Sequence, residues 1–152
     1  HKTSFSAEEI QAYLKGDLVT CFGSSFFLTQ THTRTPLPSA GNMNFIQSVS
    51  QLDFTGGPKG RGYIKAEWYV RPDDWFFEGH FKNDPCMPGT LMADACLQLM
   101  ALYVTAAGFT QAKDGWRFQP IQDLTCKFVC RGQVTPTYKK ITYELFIDEI
   151  IE

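Results

Sequence analysis

From Leu91 to Val104 nearly every residue is apolar, and the run is entered through Pro88-Gly89 and left at Gly108. A helix apolar all round is a buried helix, so the rest of the chain has to be built around it. Pro88 suits a first helical position, where its missing N–H is not needed, and Gly108 suits the stop. A helix of about 18 residues is roughly 27 Å long, a length also compatible with a membrane span. Asp94 and Gln98 near its start, the Pro-Gly entry and the flanking strand-like segments argue instead for the core of a globular domain, with no membrane span.

The flanking segments alternate. Ile64, Ala66, Trp68 and Val70 take one face of Gly62 to Val70, and Tyr63, Lys65, Glu67 and Tyr69 take the other. Phe45 to Leu52 precedes it across the turn Gly56-Gly57-Pro58-Lys59-Gly60, which predicts a hairpin. After the helix, strand patterning returns at about Gln122 to Arg131 and at Lys139 to Glu149. Strands before and after one apolar helix predict an α+β arrangement, an antiparallel sheet wrapped around one long buried helix.

Residues 1–36 read as an N-terminal arm and 37–152 as the main domain. Ser6-Ala7-Glu8-Glu9 is a capping-box pattern that opens a short helix, closed by Gly16. Thr29 to Pro38 has no periodicity and reads as a linker containing a solvated His32. Fourteen Lys and Arg against 16 Asp and Glu give a formal charge of -2, so there is no basic field for nucleic acid. Five cysteines, without zinc-ligand spacing, fit reduced thiols in a cytoplasmic protein.

The chemistry-bearing residues crowd into one stretch. His80 lies in a loop after Trp75-Phe76-Phe77, and the turn Asn83-Asp84-Pro85 leads to the Pro88-Gly89 helix start. Free N–H groups at that start form a site for an oxygen carrying negative charge. Asp94 and Gln98 sit four apart, share a helix face and can hydrogen-bond each other. Taken singly, a loop His is usually structural and a helical Asp usually satisfies a local backbone group. Few structural needs call for all of them together.

The stretch resembles the active-site region of the FabA-type 3-hydroxyacyl-carrier-protein dehydratase/isomerases, which have the hotdog fold. Their pattern is an aromatic cluster, a loop His, Asp-Pro-x-Met-Pro-Gly, and a helical Asp followed four residues later by Gln. Trp75-Phe76-Phe77, His80, Asp84-Pro85-Cys86-Met87-Pro88-Gly89, Asp94 and Gln98 match it in order and spacing. Phe81-Lys82-Asn83, Gly89-Thr90-Leu91-Met92-Ala93-Asp94 and Asp114-Gly115-Trp116-Arg117-Phe118 are more similar to the dehydratase domains of polyunsaturated fatty acid synthases. Gly79 and Thr90 depart from the stand-alone enzymes, which usually carry Cys there. These departures leave acid and base untouched.

The resemblance implies dehydration of 3-hydroxyacyl thioesters to trans-2-enoyl thioesters, with isomerisation as a second activity of some members. Neutral imidazole suits the removal of the α-proton, so His80 is the expected general base. Asp94, in an apolar helix, is the expected proton donor to the leaving hydroxyl. Gly89 and Gln98 are the expected substrate-binding residues, the Gly89 N–H polarising the thioester carbonyl. The resemblance implies no metal or redox cofactor, and a substrate carried on the phosphopantetheine of acyl carrier protein. The expected assembly is a homodimer or a double-hotdog pseudo-dimer. The family pattern also implies two further strands after the position of Glu152. A hotdog thioesterase and a non-catalytic module of a synthase are the alternative readings.

Overall fold

The computed structural model describes residues 1–152. Three strands form one antiparallel sheet in the order β1 (Ser48–Asp53), β2 (Tyr63–Tyr69), β3 (Lys140–Phe146). β2 is central because the hairpin joins it to β1 and the whole of β3 pairs with it, from Tyr63 opposite Phe146 to Tyr69 opposite Lys140. The expected alternation holds over Tyr63 to Ala66 and breaks at Glu67, which is buried although the alternation places it on the open face. Ile64 and Ala66 on β2 and Tyr143 on β3 are buried, and they share a cluster of 23 residues with Val49 and Leu52 of β1.

The chain also forms four helices, α1 (Ala7–Leu14), α2 (Leu18–Phe22), α3 (Phe76–Gly79) and α4 (Gly89–Ala106), of which α1 and α4 pack on the sheet. α4 is the expected long helix. Ala95, Leu99, Leu102 and Tyr103 carry it into the same cluster, and each Leu so buried is worth about 1.5–3 kcal/mol. At its C-terminus Gly108 adopts φ +92°, and its N–H bonds the Thr105 carbonyl at 2.9 Å. Not all of α4 is covered. Leu97 and Met100 are each 49% exposed, and Thr90 lies on the same open stripe. The composition of the run hides this, because an apolar residue is equally apolar whether or not a neighbour reaches it.

The arm is more structured than its sequence suggests. Ser6 caps α1, its Oγ accepting from the Glu9 N–H at 3.2 Å, and Asp17 caps α2 by accepting from the Thr20 N–H at 3.1 Å. A 3₁₀ segment, Ser24–Thr31, occupies part of what reads as linker. Five- and eight-residue elements are too short to show a period. Ile10, Tyr13, Leu18, Phe22 and Phe26 all enter the central cluster. The Thr105 hydroxyl donates to the Ala101 carbonyl at 2.8 Å, so the Tyr13 hydroxyl donates to Thr105 Oγ1 at 3.3 Å.

One expected strand is not formed. Residues 122–131 run without secondary structure and are exposed throughout, with Leu124, Phe128 and Val129 each more than half open. Their alternation suits a pleated surface, but a strand exists only against a partner, and no neighbouring strand supplies the ladder. β3 likewise ends at Phe146 and does not reach Glu149.

Burial sets an alkaline limit. Desolvation pushes the Cys21 thiol up from its ordinary 9.0 to about 12, and burial also raises the Tyr13 and Tyr143 phenols. These groups hold their protons more tightly when folded, so their stabilising contribution is complete below the ordinary thiol and phenol range. It is lost as the pH climbs through the raised values. Thermal midpoints are expected to fall steadily above about pH 9. A midpoint flat up to about pH 11 would contradict the burial of these groups.

Candidate active site

His80 closes α3, whose aromatic residues anchor it. Phe76 and Phe77 are buried with ring centroids 4.7 Å apart, and Phe76 packs edge-on to Phe45 at 6.1 Å. The Trp75 indole N–H donates to the Asn42 carbonyl at 3.1 Å. Beyond His80 the chain reverses through Asn83, which adopts φ +65°, a conformation that asparagine tolerates better than most side chains. The turn returns Cys86 to the histidine. His80 Nδ1 lies 3.2 Å from the Cys86 carbonyl oxygen and 3.3 Å from Cys86 Sγ. Its ring stacks on Phe81, centroids 4.0 Å apart. A carbonyl can only accept, so this contact is a hydrogen bond when Nδ1 carries the hydrogen, which leaves Nε2 on the far side of the ring.

Met87 ties this loop to the body of the domain by donating its N–H to the Val134 carbonyl at 2.8 Å. α4 then begins with no side-chain cap. The Leu91 and Met92 N–H groups bond the Pro88 carbonyl, while those of Gly89 and Thr90 point out of the helix without a protein partner. Positive dipole and free donors coincide there. Glycine at 89 is a steric requirement, because a Cβ would overlap the Cys130 sulfur and meet the Phe128 ring at 3.5 Å. The segment expected as a strand therefore crosses the mouth of α4.

Asp94 lies one turn further along and is half-buried rather than enclosed, because α4 leaves one stripe open. The expected pair with Gln98 is present, Gln98 Nε2 donating to Asp94 Oδ2 at 2.8 Å. Gln98 is 4% exposed, and both hydrogens and the oxygen of its amide are engaged. Nε2 also donates to the Met43 carbonyl at 2.7 Å, and Oε1 accepts from the Phe45 N–H at 2.9 Å. These bonds fix the amide's orientation and with it the position of Asp94, whose Oδ1 has no protein partner. No hydrogen bond joins Asp94 to His80. No cluster of three or more His, Cys, Asp or Glu side chains comes together that could hold a metal ion.

Four parts of this arrangement have no role read from the sequence. The Met43 and Phe45 backbone groups and Cys130 lie far from the site along the chain and carry no local signal. Cys86 did carry one, since it is six residues from His80 in a loop that must turn back on itself.

A long helix against a three-stranded antiparallel sheet, with an imidazole before its first turn and a carboxyl in its second, is the arrangement of an α+β hotdog domain. The chain belongs to the FabA-like domain family, whose model matches residues 37–152. It is 33% identical over 150 residues, 99% of its length, to a polyunsaturated fatty acid synthase subunit from Thraustochytrium sp. (strain ATCC 26185 / S-3). The chain spans 10% of the length of that relative.

Proposed function

We propose that this domain dehydrates 3-hydroxyacyl thioesters to trans-2-enoyl thioesters during fatty acid synthesis, with the substrate carried by acyl carrier protein. The observation that carries the proposal is the division of labour within one segment. His80 has Nδ1 committed to Cys86 and Nε2 free, the start of α4 offers unused N–H groups, and Gln98 holds Asp94 with one oxygen unbonded.

In this reading the Gly89 N–H bonds the thioester oxygen and stabilises the charge that develops there as the α-proton leaves. His80 Nε2 takes that proton. The freed electron pair becomes the C2=C3 bond, the C3–O bond breaks, and the departing hydroxide takes the proton of Asp94 to leave as water. The imidazolium and carboxylate that remain exchange a proton with solvent before the next turnover. Isomerisation to a cis-3-enoyl thioester needs only the same base moving a proton between carbons, and it enters the proposal as a second product. The missing contact between His80 and Asp94, together with the open stripe of α4, supports a site shared between two copies or two hotdog repeats. His80 of one would then face Asp94 of the other.

The test is incubation with a 3-hydroxyacyl thioester on acyl carrier protein, following enoyl thioester and free thiol separately. Enoyl product without thiol release is the expected result. Thiol release would make the domain a thioesterase, and no turnover would make it a scaffold. Within this reading, Gly89→Ala is expected to reduce kcat/KM about 100-fold, because the displaced Cys130 and the shifted helix start misplace the substrate carbonyl. Combining it with Cys130→Ala should recover part of the loss. Initial rates of both variants decide this, and an undiminished single variant would remove Gly89 from the site.

A further inference from the structure

We infer that the Cys86 thiol is a positioning group for His80, acting beside its own carbonyl to hold Nδ1 as the protonated ring nitrogen. The inference deepens the dehydratase reading and rests on it for the role of His80. Two atoms of one residue lie almost equally far from Nδ1, the carbonyl oxygen at 3.2 Å and the sulfur at 3.3 Å. Nδ1 has room for one hydrogen, which divides between them as a three-centre bond.

The reverse arrangement, with the thiol donating to Nδ1, would move the ring hydrogen to Nε2 and turn a bare nitrogen lone pair toward the carbonyl oxygen. It would also disable the base. Cys86 is 3% exposed, and the neighbouring Met87 N–H is bonded to Val134, so neither acceptor can drift away. The Phe81 ring stacks on one face of the imidazole. Glu78, Lys82 and Asp84 on the same segment, Asp94 on α4, and Cys130 and Arg131 on the crossing segment make no hydrogen bond or ion pair with the imidazole. When Nε2 takes a proton the positive charge spreads to Nδ1–H, and a polarisable sulfur there supports it in a way that a methyl group does not.

The experiment uses the whole chain labelled with ¹⁵N, as wild type, Cys86→Val and Cys86→Ser. Valine keeps an apolar filling of the site, and serine keeps a second acceptor. Long-range ¹H–¹⁵N spectra report the tautomer of each histidine, and His80→Gln assigns the His80 signals. Wild type is expected to carry the hydrogen on Nδ1. Cys86→Val is expected to lose part of that population. Its kcat should fall about three- to tenfold at unchanged KM, and the acid limb of its kcat/KM profile should move to lower pH. Cys86→Ser should stay within about twofold of wild type. An Nε2–H tautomer in wild type, or a valine variant identical to wild type in tautomer and pH profile, overturns the inference. The spectra need no turnover. An inactive wild type with the expected tautomer would therefore remove the dehydratase reading and leave the positioning of the ring intact.

Discussion

Asp94→Asn is expected to lower kcat for dehydration by about 100- to 10,000-fold, and His80→Gln by a comparable factor. Asparagine at 94 can still accept from Gln98 Nε2, so the bond of 2.8 Å that orients the side chain survives. What disappears is a proton that can be given up, because an amide N–H does not protonate hydroxide. Glutamine at 80 can still donate to the Cys86 carbonyl, whereas alanine would leave that acceptor unpaired and cost stability as well. The loss should therefore fall on kcat, with KM and the circular dichroism spectrum near those of wild type. Steady-state kinetics with a 3-hydroxyacyl thioester check both variants. Turnover within a few-fold of wild type would remove that residue from the chemistry.

Gly62→Ala is expected to destabilise the fold by about 2–5 kcal/mol, adding a strained backbone conformation to an overpacked core. Gly62 sits at φ +138°, where side chains are rarely accepted. A Cβ there would overlap the Tyr103 hydroxyl and crowd Ile147 at 3.0 Å. Tyr103 is 2% exposed, stacks edge-on against Phe54 at 5.4 Å and cannot swing away. Gly62 also closes the hairpin, bonding Gly56 at 3.0 Å and receiving the Ile147 N–H at 2.9 Å. Denaturant midpoints measure the change. Tyr103→Phe in the same chain removes the closest atom but leaves the ring carbon at 2.8 Å and the backbone strain, so only part of the loss should be recovered.

The helix and the hairpin were legible because their signals are local. Pro88, Gly108 and the apolar run between them carry α4, and strict alternation with a Gly-rich turn carries β1 and β2. The pairing of Asp94 with Gln98 was legible for the same reason, since a spacing of four fixes a shared face. What could not be read depends on distant partners. Gln98 is also held by Met43 and Phe45, more than 50 residues away, so the anchoring of its amide has no trace in the spacing. Residues 122–131 show the converse. Their pattern is that of a strand, but a pattern records what a segment can pair with and cannot supply the partner. The open stripe of α4 was hidden likewise, because Leu97 and Met100 look the same in sequence as the buried Leu99 and Leu102.

The two margins of the sheet are chemically unequal. The outer margin of β1 is sealed by the chain's own start: Phe5 and Val49 exchange N–H···O bonds of 2.8 and 2.9 Å, and the Leu52 N–H reaches the Thr3 carbonyl at 2.7 Å. β3 has β2 on one side and no strand on the other, so its remaining main-chain donors and acceptors face outward. An extended segment from any source can therefore lengthen this sheet in one direction only, alongside β3. The fold is directional, closed to growth where the arm lies and receptive at the opposite border.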